Sequence, residues 1–243
     1  MTLGNFISIP LPFLVWDDEC VNLMMPCFPI VGIVVGFVWW GTTELLIFTG
    51  IHTALAAAIF TLVSLFTAGL IHLDGYMDTS DAVLSRRDLE ERIRILKDPH
   101  TGSFAVIMVV ALFVMQFAAA YAFIDNAKNT LLLIVIAVIS RCGSAFCSLV
   151  LKPAPHSGYV NMYRQNSNKL HTAVIVFIAA DAIIFAGLIY GFKGLIVAGA
   201  GLIGYVIAIS YVYKDLQGVS GDLVGFSLVI SELCGLIALA AVG

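Results

Sequence analysis

Residues 72–104 read HLDGYMDTSDAVLSRRDLEERIRILKDPHTGSF, a polar island in a chain that is apolar almost everywhere else. Asp74, Asp78 and Asp81 open the island, and Lys97, Asp98 and His100 close it. Offsets of four and seven place the three acids on one face of a helix. Carboxylates arranged in this way repel one another, and a bound cation relieves the repulsion. Oxygen-only ligands suit Mg²⁺ or Mn²⁺. The plainer alternative is a solvated amphipathic helix in a long loop. The acids begin directly after a membrane-length apolar run, where ionisable groups are costly, and this favours the cation.

The composition fits the same picture. The chain has 243 residues, 60% hydrophobic and 12% charged, with a mean hydropathy of +1.01. A soluble domain carries roughly twice that charged fraction. The expectation is an all-α fold, a polytopic integral membrane helical bundle forming one domain over residues 1–243. A net charge of −4 leaves no basic tail for nucleic acid. Cys20, Cys27, Cys142, Cys147 and Cys234 contain no CxxC pair and lie mostly in or beside apolar runs. They read as small buried residues rather than a disulfide framework or a zinc site. The opening MTLGNF lacks a basic signal-peptide region, so the first spanning helix is expected to direct targeting.

Seven runs reach the roughly 20 residues needed to cross a bilayer: 28–48, 51–71, 103–124, 130–151, 172–190, 194–213 and 223–242. Before them, Pro10 and Pro12 break the helix, so the amino-terminal stretch is expected at the interface or folded over the protein. Trp16 would lie near headgroup level and Asp17, Asp18 and Glu19 in water. The short links 49–50, 125–129 and 191–193 make tight antiparallel pairs, which puts the long links 72–102, 152–171 and 214–222 together on the other side. The long-link side carries Arg86, Arg87, Arg92, Arg94, Lys97, Lys152, Arg164, Lys169 and Lys214; the short-link side has Lys128 and Lys193. Positive charge stays inside. This predicts a multi-pass cell-membrane protein with a cytoplasmic amino terminus, cytoplasmic long loops and an outward carboxyl terminus. Gly32 and Gly36, and Gly199, Gly201 and Gly204, are expected to let helices approach closely.

The remaining polar residues divide into those with a structural reading and those with two. Residues 85–97 form a charged helix whose arginines pair with Asp88, Glu90 and Glu91 on a solvated face, or hold phosphate with one or two of them. Pro99 and Gly102 stop that helix. Asp98 either caps the next span or faces the cation. Asp222, in GVSGDLVG (218–225), is either an N-cap or emerges on the same side as Asp74. Arg141 lies deep in its span and needs an acid, a phosphate or a carbonyl, with Asp181 and Glu44 as candidate partners. Glu232 must also be paired if it is to stand in lipid. His72 ligates metal, or caps or packs at an interface. His156 and His171 border a loop that closes over a large polar substrate, or is only a connector.

Carboxylates with a divalent cation at a membrane face, near Arg and Lys, suggest phosphoryl or phosphodiester chemistry. A further carboxylate would take the proton of an attacking hydroxyl. No GxxxxGK[ST] loop is present.

HLDGYMDTSDA (72–82) resembles the HLDGxxDTxDG signature of the adenosylcobinamide-GDP ribazoletransferases, the cobalamin synthases. Pro10-Leu-Pro12 with Phe28-Pro-Ile-Val-Gly32 resembles that family's IPxP and FPxxG elements. Lys97-Asp98 to Phe104 resembles RDxxxGxFG, and 218–225 resembles GxTGDxxG. Ser8, Ala82, His100 and Ala105 depart from the pattern, but the acids are all present. The resemblance implies that α-ribazole or its 5′-phosphate attacks adenosylcobinamide-GDP, giving adenosylcobalamin or its 5′-phosphate and releasing GMP, with Mg²⁺ as the metal. It implies Asp74 and Asp78 as metal ligands, Asp81 as a third ligand or the base, Asp98 and Asp222 completing the acidic site, and Lys97 on phosphate. A broad cavity for the corrinoid is expected, and the sequence leaves room for a homo-oligomer. Two other classes compete. A CDP-alcohol phosphotransferase also uses membrane-face aspartates, but its D-x-x-D-G-x-x-A-R motif is not matched here. A transporter would use Asp74, Arg141, Asp181 and Glu232 as a charge relay.

Overall fold

The computed structural model describes residues 2–7, 18–68, 70–126, 128–154, 157–165 and 167–243. The readings placed on Ser8, Pro10, Pro12, Trp16, Asp17 and His156 lie outside these residues, as do those on the side chains of Asp18 and Glu19. Helices in chain order are α1 (Thr2–Phe6), a 3-10 turn (Asp18–Leu23), α2 (Met24–Thr49), α3 (Thr53–Ala68), α4 (Leu70–Leu84), α5 (Leu89–Leu96), α6 (Ser103–Asn126), α7 (Leu132–Val150), α8 (Gly158–Arg164), α9 (Lys169–Leu216) and α10 (Gly221–Val242).

Five of these are long and apolar enough to cross a membrane, or six if the bent pair α3–α4 makes one crossing. The chain is therefore a multi-pass membrane protein, although length and composition do not establish the expected seven. The difference lies in two places. α3 and α4 are bent by 93°, so the expected run 51–71 is a 16-residue helix that continues into the first turn of α4. α9 is 48 residues long and holds two of the expected runs. It reverses at Gly191, whose φ of 58° and ψ of −138° suit glycine alone. A Cβ on Gly194 would meet the carbonyl of Ala186, eight residues earlier, so the two arms lie back to back.

α7 is the central post, and 78% of its most apolar stretch is buried. α2, α9 and α10 pack around it. Gly32 and Gly36 seat α2 on α7, where an added Cβ would come within 2.6 Å of Ala137 O and 2.5 Å of Ile134 Cα. α6 packs on both α3 and α4, with Gln116 Nε2 donating to Ser64 Oγ and Tyr76 Oη donating to Met108 O at 3.2 Å. α1 folds back over the bundle, and Phe6 stacks on His72 with ring centroids 6.0 Å apart.

The deep charges resolve differently from expectation. Arg141 is fully buried and pairs with Glu232 of α10, not with Asp181 or Glu44. Ser140 Oγ also donates to that carboxylate at 3.2 Å. Glu44 instead accepts from Thr130 Oγ1, and Asp181 is exposed on α9. The pairing follows from packing: α7 and α10 are neighbours and both charges face their interface, whereas Asp181 faces away from the bundle.

Candidate active site

The three long links converge at one end of the bundle. Arg92 of α5 forms an ion pair with Asp215 at 2.9 Å, tying the island to the 214–222 link. Ala154 N donates to Val219 O and Val219 N to Lys152 O, each at 2.9 Å, which ties that link to the 152–171 loop. Pro153 and Val219 meet in an isolated parallel bridge.

Asp74, Asp78 and Asp81 all lie on α4, so the acids sit on helical turns rather than loops. α4 crosses α10 where Gly75 faces the backbone of Asp222; a Cβ there would stand 2.8 Å from Asp222 Cα. That contact brings Asp222, in the first turn of α10, beside the acids of α4. Further along α4, Asp81 reaches the start of α6. Burial pushes the Asp78 carboxyl up to about 6, and the charges of Asp74, Asp222 and Asp81 add to the shift. The repulsion read from the spacing is therefore present and centred on Asp78.

The other acids divide. Asp222 is not the N-cap of α10. Ser220 is, with its Oγ accepting from Leu223 N at 3.4 Å and donating to Asp222 Oδ2 at 3.3 Å. Asp81 turns to the start of α6, where Oδ1 accepts from Ala105 N at 3.4 Å. The carboxylate fills the space over Gly102, where a Cβ would come within 1.7 Å of Oδ2. Asp98 neither caps α6 nor lines the pocket with Lys97. It is exposed, accepts from His100 N at 2.9 Å, and lies 2.7 Å from His100 Nδ1. The backbone N–H of His100, and then its ring, hold the Asp98 carboxyl below the usual range.

Lys97 and Asp222 line one pocket of about 150 Å³, together with Ser157, Ser220, Ala154 and the apolar side chains of Ile93, Leu96, Leu216 and Leu223. The pocket is small, not the broad cavity expected, because α5 lies over it. α5 has no buried residue and is anchored by the Arg92–Asp215 pair. The sequence reading missed Ser220, Ser157 and Asp215. The pattern S-x-D at a helix start is an N-cap signal and identifies Ser220; nothing local marks the other two. His72 is a packed residue, buried against Phe6 and Phe28, not a surface ligand.

Among the described residues no three His, Cys, Asp or Glu side chains close on one point as a metal cage. The donor set still suits a hard cation shared with substrate. Mg²⁺ commonly takes one or two carboxylates and completes its shell with water and phosphate oxygens. The crowding of negative charge on Asp78 is what such a cation relieves.

Comparison with known proteins gives the same direction along the whole chain. A profile of the cobalamin-5-phosphate synthase family matches residues 1–240. The adenosylcobinamide-GDP ribazoletransferase of Clostridium botulinum (strain Alaska E43 / Type E3) is 35% identical over 236 residues, covering 97% of this chain and 94% of that one. The protein of the same description from Clostridium perfringens (strain SM101 / Type A) is 32% identical, covering 100% and 96%. That from Lachnoclostridium phytofermentans is 30% identical, covering 100% and 93%. No solved structure matches the chain. With the profile spanning nearly every residue and the HLDG and GD acids meeting where α4 crosses α10, the chain belongs to the cobalamin-5-phosphate synthase family.

Proposed function

We propose that this protein is an adenosylcobinamide-GDP ribazoletransferase that carries out a late step in assembling the cobalamin nucleotide loop. The hydroxyl of α-ribazole, or of its 5′-phosphate, attacks the cobinamide-side phosphorus of adenosylcobinamide-GDP. The new P–O bond forms as the diphosphate bond breaks, and GMP leaves with the electron pair. The observation that carries this reading is the meeting of Asp74, Asp78 and Asp222 beside a pocket shared by Asp222 and Lys97, in a chain matched end to end by that family.

In this reading Asp74 and Asp78 hold Mg²⁺, with Asp222 adjacent. When bound, Mg²⁺ neutralises phosphate oxygens and the charge arriving on the leaving group. Lys97 binds phosphate as a point charge from the pocket wall. Asp222, oriented by the Ser220 hydroxyl, accepts the proton of the attacking hydroxyl. Asp81 acts as a positioning residue by fixing the start of α6 against α4. Asp98 and His100 form a separate exposed pair at the rim.

The long-link end faces the cytoplasm and the protein resides in the cell membrane. Nine Lys and Arg on the long links against two on the short ones support this orientation.

The test is turnover by purified protein in liposomes supplied with adenosylcobinamide-GDP, α-ribazole and Mg²⁺. GMP release should match cobalamin formed, and both should be lost with EDTA and in Asp78→Ala. Absence of product from folded protein would overturn the assignment.

A further inference from the structure

The first arm of α9 carries a pattern that neither the bundle core nor the site uses. Leu170, Val174, Phe177, Asp181, Ile184 and Leu188 succeed one another at intervals of four, three, four, three and four. This is the 3.5-residue period of a two-helix seam, with alternating d and a positions. All six are exposed. Only 11% of the most apolar stretch of α9 is buried, against 78% for α7.

Apolar members of such a stripe are at home against lipid, but Asp181 is not. It stands twelve residues beyond Lys169, roughly 18 Å along the helix at 1.5 Å per residue, near the middle of a hydrocarbon core about 30 Å thick. No hydrogen bond or ion pair within the chain engages its carboxylate among the described residues. Acyl chains offer no hydrogen-bond partner at that depth.

We propose that this stripe is the contact between two parallel copies of the chain, related by a twofold axis along the bilayer normal, with the two Asp181 carboxyls hydrogen-bonded to each other. A second copy inserted the same way presents the one polar group that is certain to match in depth and register. In a twofold seam every a and d residue meets its own counterpart. The two carboxyls face each other across the seam, and each offers the polar partner that lipid does not. A single polar residue at an a position sets register and limits the partner number.

The experiment uses the full-length protein in liposomes over a range of protein-to-lipid ratios, with subunits counted by single-molecule photobleaching. Wild type and Asp181→Asn, whose carboxamides still pair, should form dimers. Asp181→Leu should raise the apparent dissociation constant at least tenfold while retaining its helical circular dichroism and its turnover. Oxidative cross-linking should join copies through Ile184→Cys or Leu188→Cys above the background of the parent chain. It should not join them through Ile207→Cys, which is exposed on the other arm of α9. Monomers at every ratio, undiminished dimer in Asp181→Leu, or equal cross-linking at Ile207 would overturn the interface. Turnover is read separately, so failure of the seam leaves the transferase assignment standing.

Discussion

At Asp78 the chemistry of the site reduces to one carboxyl under pressure from burial and three like charges. Its pKa rises from 3.8 unfolded to about 6 in the folded, metal-free protein. Between these values the folded state binds the extra proton, so the stability of metal-free protein falls as pH rises from about 4 to 6. Thermal melts in EDTA should show that slope, and Asp78→Asn should flatten it, leaving the smaller part that the raised Asp222 carboxyl contributes. If Asp78 holds Mg²⁺ as proposed, the ion would compete with the same proton, and the half-saturating Mg²⁺ concentration should climb about tenfold per pH unit below 6 and level off above it. At Gly75 the argument is steric. Gly75→Ala forces a methyl to within 2.8 Å of Asp222 Cα, which costs about 1–3 kcal/mol of overpacking. It should also separate the acids of α4 from Asp222, and turnover should drop at least tenfold with only a few degrees lost in Tm. The spacing of the three aspartates was legible as a repelling stripe because helix periodicity is local. The turn of Asp81 toward Ala105 was not legible, because it depends on where α6 starts relative to α4.

At the scale of elements, α7 and α10 are joined by the Arg141–Glu232 pair, with Ser140 as a second donor to the carboxylate. Removing one partner leaves a buried charge without its counter-ion, so Glu232→Gln or Arg141→Met should each destabilise by about 3–5 kcal/mol. The double variant Arg141→Met with Glu232→Leu should recover most of the loss, as measured by denaturant unfolding in micelles. This outcome also separates the pair from a charge relay, because turnover should return with stability. Helix α9 shows a limit of reading hydropathy alone. Two apolar runs were visible in it, and the three-residue link predicted a tight pair. The reversal itself rests on the positive φ of Gly191 and the contact of Gly194 with Ala186.

For the whole molecule, the gathering of the three long links at one end makes a topological prediction that charge counting can only suggest. Membrane-impermeant maleimide applied to intact cells should label Lys193→Cys, on the short-link side. It should not label Arg87→Cys or Lys214→Cys until the membrane is opened; the reverse pattern would invert the protein. The sequence by itself determined the helical class, the order and approximate limits of the apolar runs, and the family-like acids on one helical face. All of these follow from hydropathy and period along a continuous stretch. Only the tertiary structure decided which acids meet. Asp222 joins Asp74 and Asp78 because α10 crosses α4 at Gly75, Asp98 stays with His100 in solvent, and Arg141 takes Glu232 as its partner. Those choices join residues far apart in the chain, and they are set by how helices pack around α7, which no local pattern encodes.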